Sequence, residues 1–155
     1  MGNYLNPGRH GFWESVRSRI YVDKTGLIAC TNALLNTTEK YICVSRPRRF
    51  GKTMALEMLA AYYGNGCDSA DLFRGRRIEE DASFLEHLNR YDVLLLNMQQ
   101  FLSEATLGEV TDYLVQEVLR DLRKVYGQIL KEPDRGLSAA LREIYGETGR
   151  QFIIL

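Results

Sequence analysis

What this sequence lacks narrows its function first. It carries no net charge, because twenty Lys and Arg residues balance twenty Asp and Glu. No global field therefore steers it towards nucleic acid or a membrane, and anion recognition must come from a local cluster. It has no disulfide or zinc pattern: Cys30, Cys43 and Cys67 are odd in number and widely spaced. They read as small buried residues in a reducing compartment. Its apolar runs, such as residues 93–96, are far too short to span a bilayer. The start, Met1-Gly2-Asn3-Tyr4-Leu5-Asn6-Pro7, has neither the basic nor the apolar region of a secretory signal. These absences point to a cytoplasmic protein. His10 and His87 have no companions at metal-ligand spacing, and neither internal repeats nor low-complexity tracts are present. What remains is 155 residues of ordinary globular composition, 45% hydrophobic and 26% charged. That is the length of one domain, with enough chain to bury a core.

The pattern along the chain alternates strand and helix. Residues 1–20, punctuated by Gly, Arg and Pro, predict an irregular arm. Asp23 stands where a helix N-cap would, ahead of the stripe Leu27, Ile28, Ala29, Leu34 and Leu35. Tyr41-Ile42-Cys43-Val44-Ser45, unbroken by charge, predicts a buried strand. Strong helix formers fill 54–63 and stop at Gly64. After a loop-rich stretch with a short helix near 83–88, residues 91–98 predict a second buried strand. Ser103 is placed to cap a long helix, whose inner face is Leu107, Val110, Leu114, Val118, Leu122, Val125 and Ile129. Glu109, Asp112, Gln116, Arg120 and Arg123 take the other face. A further helix over 137–145 ends at Gly146, and 151–155 predicts a third buried strand. Such alternation favours an α/β fold with helices on the faces of a sheet.

Between the first strand and its helix lies Arg46-Pro47-Arg48-Arg49-Phe50-Gly51-Lys52-Thr53. A phosphate-binding loop needs this placement. Glycine lets backbone N–H groups curl around a phosphate at a helix N-terminus, where the helix dipole favours anions. A lysine then reaches the β- and γ-phosphates, and the next Ser or Thr ligates Mg²⁺. Gly51, Lys52 and Thr53 match those three roles in order. The first glycine of the usual pattern is replaced by Arg46, so on spacing alone a phosphate loop and a basic surface turn both stay open.

Tyr21-Val22-Asp23-Lys24-Thr25, followed by Ser45-Arg46-Pro47-Arg48-Arg49-Phe50-Gly51-Lys52-Thr53, resembles the AAA-ATPase-like family of P-loop ATPases. In that family the loop typically reads Ser-Arg-Pro-Arg-Arg-Phe-Gly-Lys-Ser/Thr, so Arg46 is the family's own variant. The resemblance runs from about Tyr21 to Leu155. It implies a P-loop NTPase-type three-layer sandwich with a parallel sheet, of which 21–155 would form the N-terminal half. It also implies ATP and Mg²⁺ as ligands, with residues 46–53 as a variant Walker A loop and Thr53 as the Mg²⁺ contact through the nucleotide. Family members often carry a nuclease-like C-terminal domain, and their third strand leads into an Ile-Asp-Glu-type acidic (Walker B) box. On that resemblance the chain is expected to stop just before the box. Hydrolysis and any ring assembly would then belong to the full-length protein, and nucleic acid would be met only through a further domain. The strands over 41–45 and 152–155 would also lack the neighbour they share in the sheet.

Several residues admit more than one reading. Asp23 and Lys24 would lie near the nucleotide if the resemblance extends to them, and a helix cap and a solvated lysine explain them equally well. Arg46, Arg48 and Arg49 suit phosphate through their planar forks, but a basic loop is also commonly just solvated. Arg74-Gly75-Arg76-Arg77 reads as an exposed turn. Beside the ATP-binding segment stand a non-catalytic nucleotide-sensing or protein-interaction module and a nucleic-acid-binding piece using the basic loops. Neutral net charge and the lack of interleaved aromatics argue against the last.

Overall fold

Aromatic side chains organise the first half of the molecule. The computed structural model describes residues 2–104, 106, 109–131 and 136–155. These form two compact units, one built from 8–90 and the other from 2–7 with 91–155.

The unit of residues 8–90 contains α1 (His10–Val16), α2 (Gly26–Asn32), α3 (Lys52–Tyr63) and α4 (Phe84–His87), with single 3-10 turns at Ala70–Leu72 and Arg77–Glu80. Helix α1 replaces the irregular arm expected there. Seven residues are too few to hold a helix by propensity. Tertiary packing supplies the stability: Phe12 is buried and stacks on Phe73 at 5.1 Å. Thr25, not Asp23, is the N-cap residue of α2. The Asp23 carboxylate instead accepts from the amides of Thr25 (2.9 Å) and Arg77 (3.0 Å). That helix ends at Asn32, before Leu34 and Leu35. Asn32 donates to the hydroxyls of Tyr62 (3.0 Å) and Ser83 (2.8 Å) and accepts from Tyr63 (2.7 Å). The two buried phenols thus meet the partners that burial demands.

Helix α3 stops at Gly64 as read from the sequence, but it begins at Lys52, two residues before the start expected at 54. Every residue from Met58 to Tyr63 is buried, whereas Lys52, Thr53 and Met54 are exposed. Its C-terminal half is core and its N-terminus is surface. Residues 41–45 depart from expectation. They form no strand, and Tyr41 and Val44 are 86% and 55% exposed. A buried strand exists only through its ladder, and among the described residues nothing pairs with this segment. Cys43 within it is exposed; Cys30 is exposed too and Cys67 half-buried, all three as free thiols rather than the buried residues expected.

In the other unit, β1 (Asp92–Leu94) is followed by α5 (Met98–Glu104), α6 (Val110–Tyr126), α7 (Leu137–Thr148) and β2 (Phe152–Ile154). The two strands are parallel, with Asp92, Val93 and Leu94 opposite Phe152, Ile153 and Ile154. On its other side β1 takes residues 4–6: Leu5 bridges Leu94 antiparallel, and the Asn6 amide donates to the Val93 carbonyl at 2.8 Å. So β1 is buried, while β2, expected to be buried, is half-exposed, with Ile154 at 59%. Val118 and Leu122 of α6 are buried as the periodicity requires. Val125 is 56% exposed, so the stripe ends a turn early; Leu107 lies outside the described residues. Ser103 belongs to α5 and donates to the Gln100 carbonyl, so it caps nothing, and Glu109 is the N-cap residue of α6. Helix α7 runs through Gly146 to Thr148, held by buried Ala140 and Ile144, and ends at Gly149. The described architecture is α/β with a two-stranded parallel sheet. No helix among the described residues is long and apolar enough to cross a membrane.

Candidate functional site

Residues 46–53 lie on the surface of the 8–90 unit and lead directly into α3. Gly51, the N-cap residue, is left-handed at φ +74°, and Arg49 is left-handed at φ +66°. For glycine this costs no steric energy, whereas for arginine it stores strain. The first amides of α3 have no intrahelical acceptor by the nature of a helix start. No side chain caps them, and no acidic residue occupies the first turn. The positive end of the helix dipole is therefore uncompensated.

Two ammonium groups hold the loop by its carbonyls. Lys52 Nζ donates to the carbonyls of Arg46 (2.7 Å) and Pro47 (3.1 Å). Lys24 Nζ donates to the carbonyl of Phe50 at 2.9 Å. A Cβ added at Gly51 would come within 2.9 Å of that same Lys24 nitrogen, so any side chain there would displace it. Arg46, Arg48 and Arg49 are exposed beside them. Among the described residues, no carboxylate lies at ion-pair distance from any of these five cations. Thr53, one position into the helix, is exposed with its hydroxyl unengaged among the described residues. Pro47 and Phe50 are exposed too, Phe50 at 60%.

The segment carrying Lys24 is fixed on both sides. Asp23 holds the amides of Thr25 and Arg77, and Thr25, fully buried, accepts the Ile78 amide at 3.3 Å. Burial pushes the Asp23 carboxyl up, but the amides of Thr25 and Arg77, the Thr25 hydroxyl and the charge of Arg76 together leave the group below the ordinary aspartate value. Further along α3, burial and the nearby Glu14 push Glu57 up. Spacing left Lys24 undecided between a site residue and a solvated lysine. Its contact spans 26 residues of chain, and no local pattern encodes it. Arg74, Gly75 and Arg77 are exposed, with Gly75 left-handed at φ +70°, whereas Arg76 is half-buried with its guanidinium 5.4 Å from the Tyr21 ring centre. No group of three or more His, Cys, Asp or Glu residues capable of holding a metal occurs among the described residues.

Neither a curated protein nor a solved structure matches the chain. A family model described as "Predicted AAA-ATPase" matches residues 14–155, which include the loop, the Lys24 segment and both strands. The chain belongs to the AAA-ATPase-like family.

Proposed function

We propose that residues 46–53 bind the polyphosphate of a nucleotide, ATP with Mg²⁺, as a variant Walker A loop. The observation that carries this reading is the first turn of α3. Its amides are uncapped, no acid neutralises them, and two lysines and three arginines around them lack a counterion. A polyphosphate offers what that arrangement lacks, because helix amides and ammonium groups both gain by donating to its oxygens.

Each residue then has a role. Gly51 lets the backbone approach closely, and the amides from Lys52 onward face the phosphate. Lys52 exchanges the carbonyls of Arg46 and Pro47 for the β- and γ-phosphate oxygens. The hydroxyl of Thr53, exposed and unengaged, suits a hard cation that prefers oxygen ligands. Mg²⁺, when bound with the nucleotide, would supply charge neutralisation to the polyphosphate. Arg46, Arg48 and Arg49 line the approach and raise the local anion concentration. A three-layer P-loop sandwich and a cytoplasmic location belong to the same reading, supported by the parallel pairing of β1 with β2 and by three free cysteines. Hydrolysis would additionally need a carboxylate to hold the metal and orient water.

Calorimetric titration of the 155-residue chain with MgATP tests the reading. Saturable binding is expected, weakened about tenfold or more by Lys52→Ala, the scale of a lost charge-assisted hydrogen bond. Equal affinity in the variant, with its helical content intact, contradicts it.

A further inference from the structure

We infer that Lys24 is a second cation of the phosphate site, sharing the polyphosphate with Lys52 and favouring nucleotides with more than one phosphate. This rests on the nucleotide-binding reading above and adds a residue to it. Lys24 Nζ is 2.9 Å from the Phe50 carbonyl. It also sits where a side chain on Gly51 would have to go. Gly51 thus serves Lys24 as well as the backbone: the absent side chain is the channel through which the ammonium reaches the start of α3.

An ammonium has three donors, and the Phe50 carbonyl takes one. The other two meet no described acceptor, and no described carboxylate neutralises the charge. Lys52 is in the same condition on the carbonyls of Arg46 and Pro47. Both ammonium groups grip carbonyls of one loop with no described counterion, so an anion bound at that loop gains from both charges. Their shared occupant is a polyanion.

The backbone of Lys24 is preorganised for this. Asp23 and Thr25, its neighbours on either side, are tied to the amides of Arg77 and Ile78. Only the flexible side chain has to adjust when the anion arrives, which keeps the ordering cost low. A lysine that merely braced the loop would need its hydrogen bond to Phe50 and not its charge, and this difference is measurable.

The test titrates the 155-residue chain and its Lys24→Gln and Lys24→Arg variants with ATP, adenosine and inorganic tripolyphosphate, with folding checked by circular dichroism. Glutamine retains a donor for the Phe50 carbonyl, so the fold is kept while the charge is removed. Lys24→Gln is expected to weaken ATP and tripolyphosphate about tenfold and to leave adenosine unchanged, with Lys24→Arg restoring most of the loss. Wild-type affinity in Lys24→Gln, while Lys52→Ala still weakens binding, overturns the role of Lys24 and leaves the nucleotide reading standing. Failure of the wild-type chain to bind either polyphosphate overturns both.

Discussion

At the loop, Lys52 holds the carbonyls of Arg46 and Pro47 while Lys24 holds that of Phe50. Both are charged donors on neutral acceptors, and on the proposed reading they would exchange these for phosphate oxygens, where both partners are charged. Asp121 shows the opposite case of a charge fully used. It is 3% exposed and accepts from the Tyr4 amide (2.7 Å), the Leu5 amide (3.5 Å) and Lys124 (2.9 Å). Burial pushes its carboxyl up, but the amide and ammonium donors outweigh this and leave it below the ordinary aspartate value. A carboxylate with a lowered folded-state value contributes stability above its unfolded value, and that stability is lost as pH falls through the folded value. The hold of Asp121 on residues 4–5 is therefore expected to begin weakening below about pH 4, the unfolded aspartate range, and to be lost through the still lower folded value. Hydrogen exchange at the Tyr4 and Leu5 amides checks it. Protection that persists unchanged to pH 2 contradicts the assignment.

Among the elements, α6 is held by a narrow stripe. Leu122 is fully buried, in a cluster with Leu5, Leu94, Phe101 and Ile144. Leu122→Ala is expected to destabilise the protein by about 2–5 kcal/mol, read as a lowered midpoint in urea. Val125→Ala, at an exposed position, is expected to stay within about 0.5 kcal/mol. The elements most legible in the sequence are those whose signals are local. Helix α3 is visible because helix formers run up to a glycine stop, and Gly51-Lys52-Thr53 because its placement before that helix is itself a sequence order. Helix α1 carries no sequence signal, because its stability comes from Phe12 on Phe73, a contact with no sequence period. Residues 41–45 misled for the converse reason: apolar and β-branched character marks a wish for a ladder, and only a neighbouring strand can provide one. Lys24 was undecidable because its partner lies 26 residues away.

At the scale of the whole molecule, neutrality concentrates meaning in one place. With no net charge over 155 residues, the uncompensated cations around residues 46–53 stand out against a balanced background. The family match over residues 14–155 agrees with a nucleotide-handling protein. The central claim is that the amides at the start of α3 form an anion cradle. Amide NMR spectra of the 155-residue chain titrated with MgATP test it most directly. The account predicts large, saturable shifts at Gly51, Lys52 and Thr53, with the amides of α6 and α7 nearly still. Shifts absent from those three amides at saturating nucleotide would contradict it.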